Sequence, residues 1–206
     1  MAEQVPEAAA VAVPVAAPIE AADARAATIR KIVNFVLFYA GWFGCAFGLA
    51  WGWAWLGPLS GALVVAVRLA LSTERRRDAE ALLAVTLLGP ALDTILIATG
   101  AVGVTTEARL FGLYAPPSLI ALWAIFGTTF HSSLGWMCTR PVVSVPFAAI
   151  GAPLTYIAAE RLGSLQILTP ALADGRIYII VVWVLGLPAI LWLSTRIHTR
   201  SLEITA

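Results

Sequence analysis

Six runs of about twenty mostly apolar residues fill positions 31 to 198, and a run of that length can cross the hydrocarbon core of a bilayer as an α-helix. Only 12% of the residues are charged and 60% are hydrophobic, whereas a soluble domain has about a quarter of its residues charged. We therefore predict an all-α, polytopic membrane protein with six transmembrane helices in one bundle. The predicted spans cover about 32–49, 56–71, 79–99, 117–137, 142–162 and 177–197.

The two ends of the chain are predicted to lie outside this six-helix domain, which takes up residues 29–200. Residues 1–28 are rich in Ala, Val, Pro and Glu, and their three prolines oppose a regular helix. The segment lacks the positive leader and the uninterrupted apolar stretch of a secretory signal. We expect it to be a disordered, uncleaved cytoplasmic tail, and we expect residues 201–206 to form a short cytoplasmic tail.

The distribution of basic residues predicts the orientation of the bundle. Nine Lys and Arg residues lie at one set of predicted helix ends and three at the other, and Arg68 lies near enough to the first set to extend its side chain towards it. Because basic loops are retained in the cytoplasm, both termini are predicted to be cytoplasmic. The nine are Arg25, Arg30, Lys31, Arg75, Arg76, Arg77, Arg140, Arg196 and Arg200, and the three are Arg109, Arg161 and Arg176.

Composition and motifs argue against several classes of function. The net charge of +1, with Lys and Arg in short clusters at helix ends, gives no reason to expect a nucleic-acid partner. The sequence contains no nucleophile elbow, Gly-rich phosphate loop, zinc signature or haem-type histidine pair. His131 has no Cys, Asp or Glu at ligand spacing, so it does not predict a metal site. We expect neither a metal nor a cofactor.

Asp93 is the most informative single residue, because a charged carboxylate inside a span costs about 3 kcal/mol and should therefore face the bundle interior and have a partner. At about 1.5 Å of rise per residue, it lies roughly 21 Å above the cytoplasmic start of the third span. Tyr156, Trp123 and Trp183 reach the same level, so the four side chains are expected to share one pocket in the outer half of the bundle. One interpretation is a proton or ligand site.

Other interpretations of Asp93 are structural. The carboxyl group can bond Tyr156 or the long side chain of Arg161, which lies just above it, or it can be a protonated acid bonded to the helix at Gly89-Pro90. Asn34 and His131 are predicted to lie in a separate, cytoplasmic-side layer, so a direct bond between Asp93 and His131 is not expected. Asn34 is typical of a hydrogen bond between helices, and His131 of a bond to a neighbouring hydroxyl or carbonyl group.

Glycines spaced four residues apart predict where helices approach closely. Gly44 and Gly48 lie in the first span, and Gly57 and Gly61 lie at the start of the second. Such small residues let two backbones come together in lipid, where no hydrophobic force drives helices into contact.

Four stretches follow one another in a recognisable order. They are Asn34–Cys45 with the following WGWAWLGP, then Leu88–Asp93, then Ala121–Phe126 leading to Thr129 and His131–Leu134, and finally Gly151–Tyr156 leading to Arg161–Gly163. In this order they resemble the DUF2878 family of uncharacterised bacterial membrane proteins. The departures are Ala152 and Ala159, where glycine is expected, and the resemblance covers about 31 to 163 without a clear match to the sixth span or the N-terminal tail.

The resemblance implies a small multi-pass protein of the bacterial inner (cytoplasmic) membrane. It also implies an association with gene neighbourhoods that modify fatty acyl lipids, and it brings no activity, substrate or cofactor. The residues that match the family pattern are the ones that the burial argument selects, namely Asn34, Asp93, Trp123, His131, Tyr156 and Arg161.

Three functions remain open on the sequence alone. The first is an accessory protein that binds a lipid or other hydrophobic small molecule between its helices, or that holds membrane-protein partners, with a homo-oligomer as a further option. The second is a small proton-coupled transporter with inverted repeats, because Pro90 and Pro188 lie at matching depth in the third span of each half. The third is an intramembrane lipid-modifying enzyme that uses His131 as a base or Asp93 as an acid.

Overall fold

Helices dominate the fold. The computed structural model describes residues 16–104, 115–130, 133–138 and 140–205. Within these ranges the chain forms seven α-helices and two short strands. The helices are α1 (Ala16–Ala50), α2 (Leu56–Leu71), α3 (Arg75–Ala98), α4 (Pro117–Gly127), α5 (Gly135–Cys138), α6 (Ser144–Arg161) and α7 (Gly175–Thr205). The strands β1 (Val102–Gly103) and β2 (Gln166–Ile167) pair antiparallel, and a 3₁₀ turn at Pro141–Val143 leads into α6.

The predicted all-α class is confirmed, and the apolar helices are those of a membrane protein. In the part of the chain that the structure describes, three helical segments are long and apolar enough to cross a membrane, at Ala24–Ala50, Arg75–Ala98 and Gly175–Arg196. Two more, α2 and α4, are apolar but shorter. The count of six spans and the cytoplasmic position of both termini stay predictions.

The first helix is longer than predicted. Residues 16–28, which were expected to belong to a disordered tail, are helical and continuous with the first apolar run, and this corrects that expectation. Pro18 lies in the first turn of α1, where a backbone N–H has no carbonyl partner within the helix, so its ring removes no hydrogen bond. Residues 1–15 of the predicted tail lie outside the described residues.

The predicted fourth span is not one continuous helix, which corrects the expected helix over 117–137. The helix α4 ends at Gly127, and among the residues described between there and position 140 only the short α5 is helical. The hydroxyl groups of Thr128 and Thr129 donate to the carbonyl groups of Ile125 and Phe126, at 2.7 and 2.6 Å. Side chains that bond the last carbonyls of a helix compete with its continuation. The chain then turns, and the N–H of Leu134 donates to the carbonyl of Thr129 at 2.9 Å.

The helices pack in the order α1, α2, α4, α3, α7, α6, and α4 also packs against α1. The two helices at the ends of this order, α1 and α6, share few contacts among the described residues. The row of helices curves, and α1 and α6 therefore face each other across a gap. This gap decides how the candidate site opens to its surroundings.

The spaced glycines lie at the close contacts between helices, as predicted. A Cβ atom at Gly48 would meet the backbone nitrogen of Gly57 at 3.0 Å, so α1 and α2 touch there backbone to backbone. At Gly61 a Cβ atom would meet the Cβ of Ala121 at 2.8 Å. The small residues therefore seat α2 between α1 and α4.

Candidate functional site

Asp93 lies in the second half of α3 and is 4% exposed. Its carboxylate accepts two hydrogen bonds, one on each oxygen. The indole N–H of Trp123 on α4 donates to Oδ2 at 2.6 Å, and the hydroxyl group of Tyr156 on α6 donates to Oδ1. Both donors are buried. A buried carboxylate needs such partners, because an unpaired charge away from water is costly.

Trp183 on α7 completes this polar cluster. Its indole ring stacks on that of Trp123, with ring centroids 4.9 Å apart and an angle of 16° between the planes. Its N–H donates to the hydroxyl oxygen of Tyr156 at 3.4 Å. The Asp93 cluster, defined as Asp93, Trp123, Tyr156 and Trp183, thus joins α3, α4, α6 and α7 at one point.

Gly89 explains why Trp123 can reach the carboxylate. It lies one helical turn before Asp93 on the same face of α3. A Cβ atom at Gly89 would overlap the atoms of the Trp123 indole, so the ring rests directly on the backbone of α3. Glycine at this position is therefore a requirement of the hydrogen bond between Trp123 and Asp93.

The structure brings together three of the six site residues selected from the sequence, namely Asp93, Trp123 and Tyr156, with Trp183 beside them. It leaves Arg161 apart. That side chain is exposed at the C-terminal end of α6, more than one helical turn beyond Tyr156, and it makes no ion pair with Asp93. Of the structural alternatives for Asp93, the bond to Tyr156 is the one that forms.

Asn34 belongs to a different layer of the fold. It is fully buried in α1, and its Nδ2 donates to the hydroxyl oxygen of Ser133 at 3.1 Å, which ties α1 to the segment after α4. It does not line the cavity next to the Asp93 cluster. His131 lies outside the described residues, so its predicted role stays a prediction.

A cavity of about 330 Å³ lies beside the Asp93 cluster, and its walls are mostly apolar. Asp93 and the hydroxyl of Tyr156 are the buried polar groups at its inner end. The cavity is also lined by Phe38 and Trp42 on α1 and by the small residues Gly151 and Ala152 on α6, none of which the sequence predicts as a site residue. Hydropathy does not separate an apolar residue that faces a cavity from one that packs in a core. The further wall residues are Leu119, Leu122, Phe126, Phe147, Ala148, Thr155, Ala159 and Leu165.

The cavity reaches the surface between α1 and α6, where these helices share few contacts. Its rim includes Tyr39 on α1, which is 45% exposed, and Leu154 on α6, which is 61% exposed. Among the described residues, the opening is bordered by apolar and aromatic side chains of the two helix faces, together with the exposed Thr155. An apolar molecule can enter there without crossing a charged surface.

Metal binding finds no support in the part of the chain that is described. No group of three or more His, Cys, Asp or Glu side chains lies close enough there to hold a metal ion. The two carboxylate oxygens of Asp93 accept hydrogen bonds from an indole N–H and a hydroxyl group and are not grouped with further metal-ligating atoms of the described residues. The arrangement is suited to hydrogen bonding with a polar group of a small molecule.

A test of the cluster is the substitution Tyr156→Phe, which removes only a hydroxyl group. We expect it to lower the free energy of unfolding by about 1–2 kcal/mol, because Asp93 loses one donor and the Trp183 N–H loses its acceptor. The measurement is unfolding of the purified protein in mild detergent. Tyr39→Phe is the control, since Tyr39 lines the same cavity with an exposed ring. Equal stabilities of the two variants would contradict the importance of this bond.

Comparisons with known proteins give one match. The family model described as protein of unknown function (DUF2878) matches residues 31–189, from α1 to about the middle of α7. The match therefore extends beyond the resemblance detected in the sequence, which ended near 163. A search of curated proteins finds no match, and neither does a search of solved structures.

Proposed function

This chain belongs to the DUF2878 family, whose function is unknown, and we propose that it binds a lipid or another hydrophobic small molecule in the cavity beside Asp93. The observation that carries this proposal is the pairing of an apolar cavity with one buried carboxylate at its inner end. Binding sites for small molecules are mostly apolar and use a few well-placed polar groups to orient the ligand. The volume of about 330 Å³ is within the lower part of the range for such sites.

The opening between α1 and α6 supports an apolar ligand. In a protein embedded in a bilayer, exposed helix faces contact acyl chains, and this opening lies between two such faces. A lipid-soluble molecule then enters sideways from the membrane and leaves its apolar part in the cavity.

The hydrogen-bond pattern of Asp93 narrows the chemistry of the ligand's polar end. A carboxylate offers about four acceptor positions, and Trp123 and Tyr156 use two of them. The remaining positions favour a ligand that donates a hydrogen bond, such as an alcohol, an amide or an amine. A ligand that ends in a carboxylate or a phosphate is disfavoured by repulsion from Asp93.

The proposed setting is the inner membrane of a bacterium, with six spans and both termini in the cytoplasm. The excess of basic residues at one set of helix ends, nine against three, supports this orientation. The shorter apolar helix α4 and the turn after it form one crossing in this topology. A turn at membrane depth is tolerated where protein surrounds it, and Phe130 in this turn is fully buried.

The test compares two substitutions at Gly151, which lines the cavity. A Cβ atom there would meet only the Phe147 ring, at 3.9 Å, so a larger side chain finds open space. We expect Gly151→Phe to fill the cavity and to weaken ligand binding by about tenfold or more, as overpacking of a site does. The measurement is native mass spectrometry of the protein extracted in mild detergent, with identification of the small molecules that copurify.

Gly151→Ala is the matched control, because it adds one methyl group at the same position and leaves most of the cavity empty. It should retain the bound molecule at the level of the wild-type protein. The proposal is contradicted if no apolar molecule copurifies with the wild-type protein and none can be added back. It is also contradicted if Gly151→Phe retains the ligand as fully as Gly151→Ala does.

A further inference from the structure

A second cavity, of about 250 Å³, lies at the corner where α1, the end of α2 and the start of α3 meet. It is separated from Asp93 by roughly 20 Å along α3. Its walls are polar and charged, in contrast to the apolar cavity beside the Asp93 cluster. Four basic side chains and two acidic ones line it, namely Arg30, Lys31, Arg68 and Arg77 with Glu74 and Asp78.

Arg68 is the unusual member of this set, because it is only 8% exposed. Its Nε is buried and has no hydrogen-bond partner among the described residues. Its Nη2 lies 3.8 Å from Oδ2 of Asp78, which is an electrostatic contact but too long for a hydrogen bond. A guanidinium group has five N–H donors, and leaving buried donors unpaired is costly. An acceptor bound beside the guanidinium group would satisfy the unpaired Nε.

The remaining charges leave the cavity positive. Arg77 pairs with Glu74, with 2.7 Å between Nη1 and Oε2. Arg30 and Lys31 are exposed at the rim and have no acidic partner in the described part of the chain. Two basic groups therefore remain available in addition to the unpaired Nε of Arg68.

The backbone adds to this potential. The first turn of α3 lies at the cavity, and the N-terminal end of a helix carries a partial positive charge and free N–H groups. The C-terminal end of α2, which carries a negative partial charge, also meets this corner. The Arg75 side chain covers it by donating to the carbonyl groups of Leu69 and Ala70 at 3.1 and 3.3 Å. The helix ends at this corner therefore favour an anion as well.

We propose that this corner binds a phosphate group, with Arg68 as the buried donor and Arg30 and Lys31 closing over the anion from the rim. Phosphate suits an arginine that offers several donors in one plane. The group is supplied either by the headgroup of an anionic phospholipid or by a soluble phosphate compound. In the proposed topology the corner lies at the cytoplasmic surface, where basic pockets between helices meet anionic headgroups. The site is independent of the cavity at Asp93 and of its ligand.

The experiment uses the purified full chain with two probes. The first is inorganic phosphate in a nonionic detergent, compared with chloride at the same ionic strength, and the readout is the unfolding temperature. The second is reconstitution into nanodiscs of phosphatidylcholine alone or of equimolar phosphatidylcholine and phosphatidylglycerol, followed by native mass spectrometry of retained lipid. Stabilisation by phosphate itself identifies a soluble source. Selective retention of phosphatidylglycerol without a phosphate effect identifies a headgroup.

Single substitutions distinguish a specific phosphate site from a general attraction between the anion and the basic surface of the protein. We expect Lys31→Gln to weaken binding of the effective probe about fivefold, since one basic residue near a membrane surface contributes that much. Arg68→Gln should weaken it about tenfold or more, because it removes the buried charged donor. If Arg68→Gln does not fold, Lys31→Gln and Arg30→Gln carry the test, since both positions are exposed.

Arg140→Gln is the matched control, because Arg140 is exposed on the same predicted side but does not line the cavity. It should bind phosphate or phosphatidylglycerol as the wild-type protein does. Equal losses in Lys31→Gln and Arg140→Gln would overturn the proposal, because only the overall charge would then matter. A wild-type protein that responds to neither probe would overturn it as well.

Discussion

Asp93→Ala should lower the free energy of unfolding by about 3 kcal/mol, because it leaves two buried donors, on Trp123 and Tyr156, without an acceptor. The effect is expected at the centre of the bundle, since these bonds tie α3 to α4 and α6. The measurement is denaturant titration of the protein in mild detergent, followed by circular dichroism at a wavelength that reports helix content. The same preparation should also retain less of the apolar ligand, because its orienting group is missing.

Asp93→Asn is the comparison that separates loss of the acceptor from loss of the charge. The amide keeps one carbonyl oxygen for Trp123, and the hydroxyl group of Tyr156 can rotate to accept from the amide nitrogen. We therefore expect Asp93→Asn to cost about 1 kcal/mol, clearly less than the alanine substitution. Asp93→Ala with wild-type stability would refute the account of the cluster. Equal losses in the two variants would show that the negative charge, rather than the hydrogen-bond geometry, holds the helices together.

Depth along regular helices could be predicted from the sequence, and this is why Asp93, Trp123, Tyr156 and Trp183 were expected at one level. The rise per residue of a helix is nearly constant, so counting positions places side chains along the bundle axis. Counting does not predict the direction in which a long flexible side chain extends. Arg161 was within reach of Asp93 by depth, but it lies at the end of α6 and extends into exposed surroundings.

Two features of the fold depend on contacts that hydropathy does not report. At the end of α4, the hydroxyl groups of Thr128 and Thr129 bond the last carbonyls within an otherwise apolar run. The gap between α1 and α6 depends on how the row of helices curves, which is a property of all the pairwise packings together. The close contacts at Gly48 and Gly61 could be predicted from the sequence, because the spacing of small residues by itself predicts that two helices approach closely.

The two cavities lie near opposite ends of α3 and have opposite chemistry. Near its start, the first turn and the surrounding basic side chains attract an anion, whereas Asp93 in its second half repels one. One phospholipid headgroup therefore does not fit both cavities. The protein can hold beside Asp93 an apolar molecule whose polar end donates a hydrogen bond. It can bind a phosphate group near the start of α3 at the same time, because the two ligands do not compete for one site.

Gly89→Ala is expected to destabilise the protein by about 2–3 kcal/mol, although alanine is normally the better helix former. The added methyl group overlaps the indole of Trp123, so the ring must move away from α3. It then loses its bond to Asp93 and its stacking on Trp183. The matched control is Gly151→Ala at another helical glycine, where a methyl group meets no close neighbour and should be neutral or slightly stabilising.

A double-mutant cycle assigns the effect to the indole. Trp123→Leu removes the overlapping ring, so in that background Gly89→Ala should lose most of its cost, and the interaction free energy should reach about 1–2 kcal/mol. A smaller part will persist, because a Cβ at position 89 also crowds the ring of Pro90, which follows it in the helix. Full additivity of the two substitutions would mean that this crowding explains the whole effect. In that case Gly89 would serve the backbone at Pro90, and Trp123 would reach Asp93 without its help.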